Sequence, residues 1–233
     1  SLYLERRDGQ KYNPDTEITV TSGATEGLFC AIGALVNKAD EVIILEPAYD
    51  TYEPTIELFG GSVKRVQLAA PTFQVDWDIV KQAISSRTKA IILNSPHNPS
   101  GTLLSATDLQ ALANLLADSS IMVISDEVYA DMVFAPHKHI SANAISTLRE
   151  RSIVIGSFGK SFHITGWKTG FCAAPATLTE EIRKIHNLTT FSVHTPSQYA
   201  LADIMQDPSH IASVAPLYEQ KRAYFLDGLK ETK

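Results

Sequence analysis

Seven short apolar runs alternate with stretches of helical spacing, and that alternation restricts the fold of this chain more than any other property. The runs cover residues 18–21, 41–45, 62–68, 89–93, 121–125, 152–156 and 170–174. Between most of them lie segments with apolar residues at helical intervals, such as 25–36, 77–84 and 108–116. This order predicts a mostly parallel sheet covered by helices on both faces. Only a lysine-bearing stretch separates the sixth run from the seventh. It holds no clear crossover helix, so the seventh strand is expected to run antiparallel to the rest. From residue 178 onward the spacing is helical, with breaks at Pro196 and Pro208. No repeat or linker divides the chain, which predicts one domain over residues 1–233. The polar opening at Ser1 and the closing 230–233 both read as interrupted helices, so the expectation is a portion of a longer protein.

Composition narrows the function classes. Of 233 residues, 44% are hydrophobic and 20% charged, enough to build a sizeable core. A formal net charge of -6 with no basic run argues against nucleic acid or an anionic membrane as partner. No apolar run approaches the length of a membrane span and no signal peptide opens the chain. Cys30 and Cys172 lie far apart in apolar contexts without a CxxC spacing, which predicts buried thiols in a reducing, cytoplasmic setting. His137 and His139 flank a lysine and read as solvated. His163, His186 and His194 lack carboxylate or thiol neighbours in sequence, so no metal site is expected.

The unusual residues all follow the carboxyl ends of the predicted strands, where open parallel sheets collect their ligands. Ser22-Gly-Ala-Thr-Glu-Gly follows the first strand and Glu46-Pro-Ala-Tyr the second. Asn94-Ser-Pro-His-Asn-Pro-Ser-Gly follows the fourth, Asp126-Glu-Val-Tyr the fifth and Ser157-Phe-Gly-Lys the sixth. Lys160 at a sheet edge can be desolvated into a Schiff-base nucleophile; the alternative is a solvated Gly-Lys turn. Ala24 and Thr25 begin a helix whose amides and dipole suit a phosphate, and Ser157 and Lys168 can add a hydroxyl and a charge. Each of the last two taken singly also reads as an ordinary surface residue.

Asp126 ends a buried strand, where an unpaired carboxylate is costly. A protonated heteroaromatic nitrogen would partner it; a local turn cap is the other reading. Glu127 faces the opposite side of an extended chain and has no matching role. Tyr129 and Asn98 can reach one ring oxygen, although Asn is frequent in Pro-rich turns for backbone reasons. Tyr49 can lie flat on a heterocycle or serve as a core aromatic. His97, beside Asn98, can line the substrate side. Taken together, these residues describe a site for a phosphorylated, cationic aromatic aldehyde, and pyridoxal phosphate (PLP) is that molecule. Lys160, once freed by a substrate amine, is placed to move the proton at the substrate Cα.

Two nucleotide readings fit less well. A phosphate-binding loop ending at Gly159-Lys160-Ser161 needs a glycine where Val154 stands, and its aspartate strand would have to follow rather than precede the lysine. No GxGxxG joins an early strand to a helix.

SGATEGL, EPAYDTY, SPHNPSG, SDEVY and SFGKSFHITGWKTG, in that order and spacing, resemble the class I/II, fold-type I aminotransferases across essentially the whole chain. The resemblance implies a three-layer α/β/α large domain with a seven-stranded, mostly parallel sheet and one antiparallel strand. It also implies Lys160 as the Schiff-base lysine and Asp126 as partner of the pyridine nitrogen. Tyr129 and Asn98 would meet the ring hydroxyl, Tyr49 the ring face, and Ala24, Thr25, Ser157 and Lys168 the phosphate. Lys168 departs from the commoner arginine, giving up a planar fork for a point charge; cofactor binding is expected to survive, more weakly. PHNPSG with Gly-Trp-Lys is most similar to the methionine and kynurenine aminotransferase group. The implied reaction moves an amino group from an apolar or aromatic amino acid to a 2-oxo acid. The family's substrate-carboxylate arginine and a tyrosine lent by the second subunit of a homodimer lie outside residues 1–233, so the fragment alone is expected to be poorly active, with exposed apolar surface. A carbon-sulfur β-lyase of the same fold, or an aminotransferase-like sensing module without catalysis, is the alternative.

Overall fold

In a computed structural model that describes residues 1–230 and Thr232, the seven expected strands form a single sheet. They are β1 (Ile18–Thr21), β2 (Glu41–Glu46), β3 (Ser62–Gln67), β4 (Thr88–Asn94), β5 (Met122–Asp126), β6 (Ser152–Ser157) and β7 (Gly170–Ala173). Their order across the sheet is β1-β7-β6-β5-β4-β2-β3. β7 runs antiparallel to both neighbours, β1 and β6, while every other pairing is parallel. Strand bounds agree with the periodicity to within a residue or so.

The helices are α1 (Leu2–Asp8), α2 (Pro14–Glu17), α3 (Gly23–Leu35), α4 (Tyr52–Leu58), α5 (Trp77–Ala83) and α6 (Ala106–Leu115) in the first half. They continue with α7 (Ser146–Arg149), α8 (Phe158–Ser161), α9 (Ala176–Thr189), α10 (Thr195–Ile204) and α11 (Ser209–Leu229). As the sequence suggested, breaks fall near Pro196 and Pro208. The segment 230–233 expected to continue a helix lies partly outside the described residues.

Alternate residues of each central strand feed opposite layers, because side chains in a strand point alternately to the two faces. Val42, Ile44, Ile92, Ile124 and Ile155 pack under α3, α4 and α9, together with Leu28, Ile32, Ile56 and Ile182. Ile43, Leu45, Ile91, Leu93 and Val123 pack the other way, against Val80, Leu109, Leu112 and Leu116 of the α5–α6 side. A third cluster joins Val154, Phe171 and Ala173 to Leu4, Phe158, Phe162 and Leu201. Each such buried aliphatic side chain contributes about 1.5–3 kcal/mol. α3 carries its core residues Leu28, Ala31, Ile32 and Leu35 at helical intervals, which pins its N-terminus over the end of β1. α6 begins with a capping box in which Ser105 and Asp108 satisfy each other's backbone amides.

All parallel strands point their carboxyl ends to one edge of the sheet, and the five loops singled out above leave from that edge. Asn94 pairs in register with Asp126, Asp126 with Ile155, and Ser157 with Gly170. This ladder sets the spacing of the residues that follow.

Candidate active site

The nine residues predicted from sequence line one pocket: Ala24, Thr25, Tyr49, Asn98, Asp126, Tyr129, Ser157, Lys160 and Lys168. Three of them come from the ends of β5 and β6, which hold Asp126 and Ser157, and from the single helical turn α8, which holds Lys160. That turn is anchored beside the lysine. Ser161 and Tyr3 both donate to the carboxylate of Asp131, so the loop after β5 and the lysine turn are tied together.

Lys160 Nζ lies 5.5 Å from the centre of the Tyr129 ring. Among the described residues, neither Lys160 nor Lys168 has a carboxylate within ion-pair distance. Both lysines therefore line the pocket without an ion-pair partner. Lys168 sits in the left-handed region at φ 49, opposite Gly23 at φ 76. A Cβ on Gly23 would come within 3.2 Å of Lys168 Nζ, so glycine is what lets the ammonium reach the first turn of α3. Positive charge and free amide N–H groups then converge on one corner, an arrangement suited to a phosphate.

At the other end, Asp126 is 4% exposed. Burial pushes its carboxyl up, hydrogen bonds from Tyr52 and the Val128 amide push it partly back, and the result is about 6. A buried carboxylate so placed is a partner in want of a cation. Tyr52 was not singled out from the sequence; its phenol donates to Asp126 Oδ2 at 2.6 Å. Asn94 was also missed. Its Nδ2 donates to the Asp126 carbonyl at 3.1 Å and its Oδ1 accepts from the Asn98 amide at 2.6 Å, so it orients Asn98. The β4–β5 register, with Asn94 opposite Asp126, is the signal that locates it. Tyr49 meets Tyr52 edge-on at 5.7 Å between ring centres.

Glu127 faces away from the pocket, as expected from strand alternation. It lies in a buried network with Arg7 at 2.6 Å and His139 at 2.9 Å. His139 was expected to be solvated and is not: its side chain is 5% exposed, whereas His137 is exposed. His186 was expected to have no carboxylate or thiol for company, and this too is corrected. Its Nδ1 stands 2.8 Å from Glu26 Oε1, which also accepts from Cys30 Sγ at 3.1 Å. Contacts between α3 and α9 create a neighbourhood that sequence distance hides. His97 is buried with its Nδ1 2.7 Å from Ser100 Oγ and does not line the main pocket. Burial holds its imidazole below the ordinary range. Among the described residues no helix is long and apolar enough to cross a membrane.

The donor set fits pyridoxal phosphate: an unpaired amine, a cationic cradle at a helix start, and a buried carboxylate lacking a cation. Comparison with known proteins points the same way. The family described as aminotransferase class I and II matches residues 1–233. Methionine aminotransferase of Escherichia coli is 48% identical over 98% of this chain and 60% of its own length. Kynurenine–oxoglutarate transaminase of Dictyostelium discoideum is 37% identical over 96% of the chain and 56% of its own length. Among solved structures, an Escherichia coli protein with an identified methionine aminotransferase function superposes with a TM-score of 0.97 at 47% identity, over 100% of this chain and 62% of that one. N-succinyldiaminopimelate aminotransferase from Mycobacterium tuberculosis does so at 0.95 and 35%, over 99% and 61%. The chain thus spans about 60% of the length of these relatives.

Proposed function

The chain belongs to the class I and II aminotransferases, and on that premise we propose that residues 1–233 are the pyridoxal phosphate-binding large domain of a transaminase. Its donor is an apolar or aromatic amino acid of the methionine kind, and its acceptor a 2-oxo acid. The donor class rests on the likeness to methionine and kynurenine aminotransferases. A cytoplasmic homodimer is the proposed setting, supported by the two buried free thiols and by exposed apolar side chains such as Leu188 and Tyr224.

The observation that carries this reading is the convergence of Lys160, Lys168 and the buried Asp126 on one pocket. Pyridoxal phosphate supplies an aldehyde that captures amines and a cationic ring that accepts electrons. Ser157, Lys168 and the amides of Ala24 and Thr25 would hold its phosphate, and Tyr49 would lie against the ring face. Tyr129 and Asn98 would donate to the ring hydroxyl. Asp126 would favour a protonated ring nitrogen by pairing its carboxylate with that cation. Lys160 Nζ would hold the group covalently and, once freed, would be the base and acid at the substrate Cα, a task suited to an amine lining the same pocket.

The test uses residues 1–233 as they stand. The purified chain is mixed with pyridoxal phosphate, reduced with borohydride and digested, and the labelled peptide is identified by mass spectrometry. A single label on Lys160, lost in Lys160→Ala, is the expected result. Label scattered over exposed lysines of a folded chain would refute the site.

A further inference from the structure

Among the described residues, one side chain reaches the Asp126 carboxylate. Tyr52, 2% exposed, donates its phenol proton to Oδ2 at 2.6 Å. The other oxygen, Oδ1, accepts the Val128 amide at 3.2 Å. Tyr52 opens α4, and its own amide donates to the Tyr49 carbonyl at 3.1 Å. Its ring also meets the Tyr49 ring edge-on. Tyr52 therefore touches both the carboxylate assigned to the ring nitrogen and the aromatic assigned to the ring face, yet it does not itself line the pocket.

We propose that Tyr52 is a positioning residue for the reaction: its hydrogen bond fixes the orientation of the Asp126 carboxylate and steadies its charge, so that the ring nitrogen meets a carboxylate rather than a carboxylic acid. The inference rests on the pyridoxal phosphate reading given above. Burial alone favours the neutral acid, and a donor aimed at the charged form opposes that. Charge-assisted bonds of this kind are about twice as strong as neutral ones. Burial and the neighbouring Asp126 hold the Tyr52 phenol well above its ordinary range, so it remains a donor at any working pH. A buried tyrosine also needs an acceptor merely to fold. A tie that was only structural would change stability and leave the titration of Asp126 where it is.

Tyr52→Phe separates the two, because it keeps the ring and its contact with Tyr49. In the cofactor-free chain, carbon-13 NMR of labelled aspartate carboxyls should show the Asp126 titration rising by about one to two pH units. With pyridoxal phosphate labelled at the ring nitrogen, the nitrogen-15 signal should move toward that of neutral pyridine, and binding should weaken about tenfold or more. In an Asp126→Asn background the same change should alter neither. Should Tyr52→Phe fail to fold, 3-fluorotyrosine at position 52 gives the same shape with a stronger donor and should move the Asp126 titration down. An unmoved titration, or an effect of Tyr52→Phe that persists in full on Asp126→Asn, overturns the inference while trapping on Lys160 still stands. A wild-type chain that binds no pyridoxal phosphate strikes down the functional reading and this one with it.

Discussion

Replacing Asp126 by Asn should shift the stability of the cofactor-free chain increasingly in the variant's favour as pH rises to neutrality, at the expense of the site. Burial raises the Asp126 carboxyl from its ordinary 3.8 to about 6. Its folded-state proton affinity therefore exceeds that of the unfolded chain, and the sign of the linkage follows. The group favours the folded state fully below pH 3.8, and that contribution is lost as pH rises through about 6. A shift of about two units corresponds to about 3 kcal/mol. Asparagine never ionises, so the stability of Asp126→Asn relative to wild type should swing by about 2–3 kcal/mol in favour of the variant between pH 4 and pH 7. The Asn amide can still accept from Tyr52, but its NH2 then faces the Val128 N–H, a pH-independent cost of about 1–3 kcal/mol. The swing across pH, rather than the offset at any one pH, is thus the quantity to measure. Urea unfolding of both chains at unit pH steps, without cofactor, gives it directly. A difference flat to within about 0.5 kcal/mol, or one that favours aspartate as pH rises, would refute the argument. Adding pyridoxal phosphate should turn the comparison round, since each chain gains from ligand binding in proportion to its affinity and the wild type binds more tightly.

Two further perturbations probe the frame around the site. A Cβ at Gly170 would lie 2.7 Å from the Gly156 carbonyl oxygen and 2.8 Å from the Ala24 amide nitrogen, both backbone atoms that cannot swing aside. Gly170→Ala should cost about 2 kcal/mol or more, whereas Gly166→Ala, with nothing within 4 Å, should stay within about 0.5 kcal/mol; equal melting temperatures would contradict this. Burial raises the Glu127 carboxyl, but His139 and Arg7 more than offset it and leave it below its ordinary 4.5. Its stabilisation is present above pH 4.5 and is lost as pH falls toward about 2. His139→Ala should cost about 1–3 kcal/mol and move acid unfolding, followed by circular dichroism, to higher pH; an unchanged acid midpoint would sink that account.

The sheet was legible because its strands are short, the central ones apolar on both faces, and separated by turn residues, a pattern that depends on local spacing alone. The reversal of β7 was legible for a similar reason, since residues 158–169 leave no room for a crossover. The pocket residues could be named because each follows a strand and carries a group out of place in a core. Tyr52 and Asn94 escaped because their importance lies in what they touch. Tyr52 is 74 positions from Asp126, and a second tyrosine after Tyr49 looks like packing. Asn94 becomes visible only when β4 and β5 are set in register. His139 and His186 were misread for want of their partners. Glu127 reaches His139 across a loop, and Glu26 stands 160 residues from His186, so no window along the chain holds both members of that pair.

The direction of the strands has a practical corollary. Every group assigned to the cofactor leaves from one rim of the sheet, and among the described residues the opposite rim carries short returns such as residues 36–40 between α3 and β2 and 116–121 between α6 and β5. A fluorophore or surface tether placed at an exposed position of those returns, such as Lys38 or Asp118, sits at the far end of the strands from Lys160. The molecule thus has a handle side and a working side, and labels or tethers on exposed residues of the first should leave the second in place.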